Sequence, residues 1–392
     1  MTRLSVTISR AAPTRRRILK TSAALAGLIA APAIIGRAAA QGDTVRILGL
    51  ATAQLDDWSA FEKETGLKVD FTPYGGADPG ADRQEIIANS AGDRYDLFIM
   101  GGGLGNDVGP LGLFIPLTGE DIPSWSSVPD YVMKSPLARG PDGTQWGMPV
   151  VMNADSFGYL VDEINEKEPL SWSVLFENDK AVGRVGLENE WATTFTQAAL
   201  YVKAKGETPI NDPSNMSPEE AKAVADFLIA RKRAGQFRAM WTTWEESIDL
   251  FARGEVIICN VWEPAVRELQ RKGLKIRYAY TREGYFKWLQ AAYVPSQVKK
   301  RGSYPMVAKA LEGFLGGAYA ARMAVLRGYA TANAKAGLQY AKENSLPTQD
   351  IEAIEANISK IQQKFSVPLV WANGAPSHRQ ALEAEFDRFR SA

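Results

Sequence analysis

The amino-acid sequence predicts an α/β protein of two lobes that are discontinuous in the chain and joined by a hinge. Strand-like and helix-like segments alternate from Thr44 onwards, which is typical of a βαβ fold. The chain has 392 residues and is too long for a single hydrophobic core. Strand-like segments near residues 147–153 and 276–295 have the position of crossings between two lobes. We therefore expect more than one connection between the lobes, which suits a hinge.

The first forty residues have the three parts of an export signal. Residues 14–20 (TRRRILK) carry paired arginines before two apolar residues and a lysine, which is the twin-arginine pattern. An apolar stretch follows at residues 21–35, and small residues then place the cleavage site between Ala40 and Gln41. The stretch contains a proline and is shorter than the roughly 20 residues of a spanning helix. We expect residues 1–40 to be cleaved and the folded chain to be exported to the periplasm.

The charge balance changes when this segment is removed. The segment holds seven basic residues and no acid, so 38 bases remain against 45 acids, a formal charge of −7. A mildly acidic chain without a basic stripe argues against nucleic acid as a partner. No later stretch is long and apolar enough to predict stable membrane insertion.

The single cysteine and the single histidine exclude several kinds of chemistry. With only Cys259 and His378, the chain has no intramolecular disulfide, no Cys/His zinc set and no Cys-His pair of the nucleophilic kind. Cys259 lies in an apolar strand-like run and is expected to be a buried, inert thiol. His378 lies in a polar stretch and is expected at the surface. We expect no catalytic residue, no metal and no cofactor.

The pattern of segments assigns the chain to the two lobes. The first lobe is predicted to comprise residues 41–152 and 280–325. The second is predicted to comprise residues 153–279 and 326–392, with the C-terminal helices spanning both lobes. The boundaries follow the proline-rich loops of residues 110–150, which lead into the first crossing, and the strand-like return after residue 275.

Four segments resemble a known family. They are Phe61–Val69 (FEKETGLKV), Tyr95–Phe98 (YDLF), Glu283–Pro295 (EG, then WLQAAYVP) and Gly328–Asn333 (GYATAN). In this order and spacing they resemble the type II periplasmic solute-binding proteins of ABC importers, and within them the spermidine/putrescine-binding branch. The resemblance implies a monomer without enzymatic activity, whose lobes close on a small solute like a Venus flytrap and then dock on the permease.

The same resemblance implies where the solute binds. Trp262 and Trp288 correspond to the tryptophans that stack on the ligand in this branch. Gln290 stands where the branch has an ammonium-binding aspartate, and Gly101, Gly102 and Gly103 stand where it has Ser and Tyr side chains. A glycine loop either forms a tight turn or brings backbone N–H groups close to an anion. The solute is thus polyamine-like or another amine or zwitterion, with an anion as the alternative.

Further candidates follow the predicted strands. Glu188, Glu190 and Trp191 lie at the carboxyl end of a strand, where an α/β sheet binds ligands; an acid there either holds a cation or favours the next helix N-terminus. Polar and aromatic side chains at other loop positions bind the solute or are merely solvated. They are Thr52, Gln54, Asn153, Asp155, Ser156, Trp244, Glu245 and Glu263.

Two other classes of protein remain open from the sequence. An exported hydrolase would use paired carboxylates such as Glu188, Glu190 and Glu263. A sensory binding subunit would share the fold and the site and differ only in its docking surface. The absence of a dinucleotide-binding glycine motif and of cysteine motifs argues against a cofactor-dependent oxidoreductase.

Overall fold

The computed structural model describes residues 43–74, 84–87, 90–367, 369–372 and 376–392. The predicted signal peptide and its cleavage site lie outside these residues. Residues 84–87 are helical. None of the described helices is both long enough and apolar enough to cross a membrane.

The described strands form one mixed sheet with the order β2-β1-β3-β9-β4-β7-β5-β6. Strands β10 and β8 pair with β4, and β11 pairs with β9. The strands are β1 (Thr44–Leu50), β2 (Lys68–Tyr74), β3 (Leu97–Gly101), β4 (Met148–Leu160), β5 (Val185–Glu188), β6 (Phe237–Trp241), β7 (Ile258–Val261), β8 (Ile276–Tyr278), β9 (Tyr285–Tyr293), β10 (Ala330–Thr331) and β11 (Leu369–Trp371).

Helices alternate with these strands, as the sequence predicts. Two begin with capping boxes, in which Ser217 pairs with Glu220 and Thr243 pairs with Glu246. The helices are α1 (Ser59–Thr65), α2 (Leu104–Val108), α3 (Asp130–Met133), α4 (Ser173–Phe176), α5 (Trp191–Lys205), α6 (Pro218–Arg233), α7 (Trp244–Ala252), α8 (Glu263–Arg271), α9 (Gln297–Arg301), α10 (Tyr304–Phe314), α11 (Gly317–Arg327), α12 (Ala334–Glu343), α13 (Thr348–Ser366) and α14 (Arg379–Ser391).

Strand β4 is shared by two halves of the molecule. Its residues from Met148 to Asp155 pair with β9, whereas its residues from Ser156 to Tyr159 pair with β7. Each half has its own buried apolar side chains. The first core includes Ile47, Phe98 and Leu311, and the second includes Trp172, Phe195 and Leu228. The chain therefore continues from one core to the other along an extended strand.

The C-terminal part of the chain contributes to both cores. Tyr329, Ala330 and Ile361 are buried in the first core, and β10 adds to the part of β4 that belongs to the first half. Leu382 and Phe386 of α14 are buried in the second core. The lobe boundaries, with C-terminal helices that span both lobes, stay a prediction.

Parallel pairing brings strand ends together in both halves. In the first half β1 pairs in parallel with β2 and β3, so the residues after β1 and β3 lie at one edge. In the second half β5 pairs in parallel with β6 and β7, so Glu188, Trp241 and the residue after Val261 share an edge. The carboxyl edge of such strands is where open α/β sheets bind ligands.

Candidate functional site

A tryptophan, a carboxylate and a second aromatic ring meet at the edge of the second half. The indole Nε1–H of Trp262 donates to Oε1 of Glu188 at 3.2 Å. The ring of Trp241 lies edge-on to Trp262, with centroids 5.6 Å apart and planes at 84°. The backbone of Asn260 anchors the edge ring, since its carbonyl accepts from Trp241 Nε1 at 2.9 Å. The Trp262 ring is thus held by a hydrogen bond at its Nε1 and by an aromatic contact with Trp241.

The Glu188 carboxyl is buried and has no ion pair with a basic residue in the described part of the chain. Burial raises the pKa of Glu188 well above its usual range, and the charges of Asp155 and Glu190 raise it further. The hydrogen bonds from Trp262 and Thr193 oppose this rise. The effect of Asp155 indicates that this residue of β4 lies near the edge of the second half.

A second group with the same composition lies on the shared strands. The indole Nε1–H of Trp288 donates to Oδ2 of Asp155 at 2.6 Å. The ring of Tyr329 lies edge-on to Trp288, with centroids 5.0 Å apart and planes at 89°. The other oxygen of Asp155 accepts from the Tyr278 hydroxyl at 3.3 Å and from Asn153 Nδ2 at 3.2 Å. The carboxylate is therefore surrounded by donors.

Burial raises the pKa of Asp155 to about 7. The hydrogen bond from Trp288 and the charge of Lys364 oppose the effect without cancelling it, and the charge of Glu263 adds to it. Asp155 is thus a buried acid that changes its ionisation near neutral pH.

A buried ion pair connects helix α8 to helix α13 beside this group. Lys360 Nζ lies 2.5 Å from Glu263 Oε2 and 2.6 Å from the Gly328 carbonyl. Arg267, one turn along α8, lies 3.5 Å from Glu263 Oε1. Burial raises the pKa of Glu263, but the charges of Lys360, Arg267 and Lys364 outweigh it and the net shift is downward. Gly328 has φ +71° and its missing Cβ would lie 1.9 Å from Arg267 Nε, so only glycine fits there.

Lys364, one turn beyond Lys360, is fully buried among aromatic rings. Its Nζ donates to the Ala154 carbonyl at 2.9 Å and lies 4.0 Å from the ring centroid of Tyr278 and 5.0 Å from that of Tyr285. Burial lowers the pKa of Lys364 to about 7, although the charges of Glu263 and Asp155 oppose the effect.

Several buried polar atoms at the site have no hydrogen-bond partner among the described residues. Gln290 donates its amide to Thr52 Oγ1, which leaves Gln290 Oε1 without a partner. Asn153 Oδ1, Ser156 Oγ and Thr331 Oγ1 are also buried without a hydrogen-bond partner among the described residues. The strand register puts Gln290 and Thr331 opposite Val151, and Asn153 lies two residues further along. Gln290, Asn153 and Thr331 thus place unpaired oxygens on one face of the sheet, which favours a ligand that carries donors.

The glycine loop of the first half is built into the fold. The Gly102 N–H donates to the Leu289 carbonyl at 2.9 Å, and the Gly103 N–H donates to the Leu137 carbonyl at 2.7 Å. A Cβ on Gly102 would lie 2.6 Å from the Leu137 Cβ, and Gly103 has φ +93°. The Gly101 carbonyl accepts from a tyrosine hydroxyl, that of Tyr293. In this arrangement the tight turn accounts for the glycines, and the N–H groups of Gly102 and Gly103 are not free for an anion.

Four other candidates in the second half have local roles. The Glu190 carboxylate accepts from the Ala192 N–H at 3.2 Å and so caps helix α5. Trp191 packs against the second core, and Arg379 lies 5.8 Å from its ring centroid. Trp244 donates its indole N–H to the exposed Glu245 at the start of α7. In the first half, Gln54 follows a 3₁₀ turn, and its carbonyl accepts from Arg327 at 3.1 Å.

Sequence reasoning missed residues that the fold brings to the site. They are Trp241, Asn260, Tyr278, Tyr329, Lys360 and Lys364. Tyr329 lies in a segment that supported the family resemblance, so that signal was available. The lysines offered none, because two lysines four residues apart on a helix are usually solvated.

No group of acidic, histidine or cysteine side chains within the described residues has the arrangement of a metal site. Cys259 is buried, and burial raises the pKa of its thiol well above the usual range. This environment matches the inert thiol that the sequence predicts. His378 is exposed, also as predicted.

Two α/β halves with separate cores, shared strands and a polar, aromatic-lined junction define a two-lobed solute-binding protein. The sequence model of the bacterial extracellular solute-binding proteins matches residues 58–357, and the chain belongs to that family. No curated protein sequence matches the chain.

Solved structures have the same fold. A spermidine/putrescine ABC transporter substrate-binding protein from Streptococcus pneumoniae has a TM-score of 0.67 at 16% identity, with 89% of this chain and 98% of the other covered. An ABC transporter substrate-binding protein from Bradyrhizobium japonicum has a TM-score of 0.63 at 17% identity, with 89% and 98% covered. A periplasmic binding protein from A. tumefaciens B6 in complex with glucopine has a TM-score of 0.60 at 15% identity, with 88% of this chain and 99% of the other covered. These similarities confirm the predicted α/β fold of the type II solute-binding proteins.

Proposed function

We propose that the chain is a periplasmic receptor that binds a small amine between its two halves and delivers it to an ABC-type permease. The halves act as lobes, with β4 and β9 as the hinge. The twin-arginine pattern supports export of the folded chain. The neighbours named as transporter components support the permease as partner. The proposal concerns a transport receptor and no catalytic role.

One observation carries the choice of solute. Glu188 is a buried carboxyl at a strand end whose contacts in the described residues are hydrogen bonds and no cation. Leaving a buried carboxylate without an opposite charge is costly, so a cation is the missing partner. Trp262 and Trp288 donate to Glu188 and Asp155, and their ring faces are the surfaces that we propose for an alkyl chain or an ammonium group.

The remaining carboxylates fit the hydrolase alternative less well. A paired-carboxylate mechanism needs two acids that face the substrate. Glu263 is engaged by Lys360 and Arg267, and Glu190 caps a helix. Asp155 lies near enough to raise the pKa of Glu188, but its oxygens accept from Trp288, Tyr278 and Asn153.

A thermal-shift screen of residues 41–392 tests the proposal. The panel contains putrescine, spermidine, γ-aminobutyrate, opines and phosphonates at pH 7. A ligand present at 100 times its Kd stabilises by about 2.7 kcal/mol, which is a rise of about 5 °C in Tm for a chain of this length. We expect this rise with an amine.

The matched variants are Glu188→Gln and Glu245→Gln. Glu188→Gln keeps the shape and removes the charge, so the rise with the amine should shrink strongly. Glu245 is exposed at the start of α7 and its variant should behave like the wild type. A rise only with phosphonates, or hydrolytic turnover without any rise, contradicts the proposal.

A further inference from the structure

The two tryptophans of the site have the same surroundings. Trp288 donates its indole N–H to Asp155 at 2.6 Å, and Trp262 donates its own to Glu188 at 3.2 Å. Each ring also has an aromatic neighbour edge-on, at 89° and 84° respectively. The two groups come from different parts of the chain, so neither follows from local sequence.

These contacts restrict the rings. A tryptophan has two side-chain torsions, and a hydrogen bond at Nε1 together with an edge-on ring leaves one orientation. Each acid offers an oxygen to the indole N–H in either ionisation state, and the hydrogen bond is stronger where the acid is charged. The acceptors are held as well, since Asp155 lies in the middle of β4 and Glu188 ends β5.

Asp155 is already fully used by the protein. Its oxygens accept from Trp288, from the Tyr278 hydroxyl and from the Asn153 amide. A carboxylate with three intramolecular donors has little capacity left for a ligand ammonium. Asp155 lies beside the site, but we do not expect it to contact the solute directly.

We infer that Asp155 is a positioning residue that holds the Trp288 indole in one orientation, and that Glu188 holds the Trp262 indole in the same way from the other half. The site thus has two aromatic walls that are preset before a solute arrives. Preset groups lose less conformational entropy on binding. The inference rests on the proposed function only in that these rings line the solute site; their fixed orientation is a property of the free protein.

The test is NMR spectroscopy of residues 41–392 labelled with ¹⁵N-tryptophan, without any ligand. The chain has 10 tryptophans, and their indole signals are assigned with Trp288→Phe and Trp262→Phe. Hydrogen exchange of each indole N–H is then compared in Asp155→Leu, Asp155→Asn, Glu188→Leu and Glu188→Gln. The leucine variants remove the acceptor, whereas the amide variants keep one oxygen for it.

We expect exchange of the Trp288 N–H to become about tenfold faster or more in Asp155→Leu and to stay near the wild-type rate in Asp155→Asn, as the loss of one charge-assisted bond predicts. Trp262 should be unaffected by these changes and should respond in the same way to the Glu188 variants. An unchanged Trp288 signal in Asp155→Leu overturns the inference. A uniform change in every tryptophan signal does so too, since it indicates general destabilisation.

A pH titration of the wild type keeps the test decisive if a leucine variant does not fold. The Trp288 indole shift should titrate near pH 7, because its acceptor does, and Asp155→Asn should abolish that step. The charged or titratable groups around Asp155 are Glu188, Glu263, Tyr278, Tyr329, Lys360 and Lys364. A Trp288 indole shift that is the same in the wild type and in Asp155→Asn at every pH from 5 to 9 overturns the inference. Failure of every amine in the thermal-shift screen, by contrast, refutes only the proposed solute.

Discussion

The two faces of strand β9 bury charge in different ways. On the face of Trp288, the buried acids lie beside buried lysines: Lys360 pairs with Glu263, and Lys364 lies close enough to Asp155 to influence its pKa. On the opposite face, Lys287 is 2% exposed. Its amine lies 4.5 Å from the ring centroid of Phe365 and 4.1 Å from that of Trp371. No carboxylate of the described residues forms an ion pair with it.

The two buried lysines reach the same pKa through different interactions. The pKa values of Lys364 and Lys287 are both lowered to about 7. For Lys287 burial is the only cause, whereas for Lys364 the charges of Glu263 and Asp155 oppose burial. Removing Lys364 therefore takes a nearby positive charge from these acids and the donor from the Ala154 carbonyl, whereas the contacts of the Lys287 amine are with aromatic rings.

We expect the largest effect on stability from breaking the buried ion pair of Glu263 and Lys360. Glu263→Ala leaves the buried Lys360 without its carboxylate, and the loss of one member of a buried pair costs about 3–5 kcal/mol. Urea denaturation at pH 7, followed by circular dichroism, measures the free energy of unfolding. The expected result is a strong loss of stability.

Glu268→Ala is the matched control on the same helix. Glu268 forms ion pairs with Arg271 and Lys272, whose side chains are 59% and 51% exposed. An exposed pair contributes about 0–1 kcal/mol, so this variant should stay close to the wild type. Equal losses in the two variants contradict the role given to the buried pair.

Replacing Lys287, which forms no ion pair with the described residues, should instead raise the stability of the fold. Lys287→Met replaces a buried amine by an apolar chain of similar length that can still pack on the aromatic rings. Replacing buried charge by well-packed apolar groups stabilises by about 1–4 kcal/mol in favourable cases, less about 0.5–1 kcal/mol for the lost cation–π contact. At pH 7 or below we expect a gain of about 1–3 kcal/mol, whereas Lys364→Met should lose stability.

The cost of burying Lys287 depends on pH in a direction that follows from its pKa. The folded pKa of Lys287 is about 7 and the ordinary value is 10.5, so the fold binds fewer protons than the unfolded chain between these pH values. The cost of Lys287 is therefore fully present below pH 7 and fades as the pH rises toward 10.5. The advantage of Lys287→Met should shrink over the same range. A loss of stability in Lys287→Met as large as in Lys364→Met contradicts the comparison.

The sequence predicted the strand ends better than the charges that meet there. Glu188 and Trp262 follow strands with clear apolar patterns, and parallel pairing then brings them to one edge. The contact of Asp155 with Trp288 depends on the antiparallel register of β4 and β9, which no local pattern gives. Lys360 and Lys364 lie on an amphipathic helix, and only its packing against α8 and β4 decides that they are buried.

The last effect, which is the smallest per pH unit, concerns the acid beside Trp288. The folded pKa of Asp155 is raised from 3.8 to about 7, so between these values the folded state binds more protons than the unfolded chain. Its contribution to stability is therefore fully present below pH 3.8 and is lost as the pH rises through 7. One such group changes the free energy of unfolding by at most about 1.4 kcal/mol per pH unit.

Asp155→Asn should remove this part of the pH dependence. Urea denaturation of wild type and variant at pH 4, 5, 6 and 7 gives the difference between their free energies of unfolding, in which all other titrating groups cancel to first order. The wild type should lose stability relative to the variant as the pH rises. A constant difference would contradict this expectation, because it would mean that Asp155 is charged throughout this range.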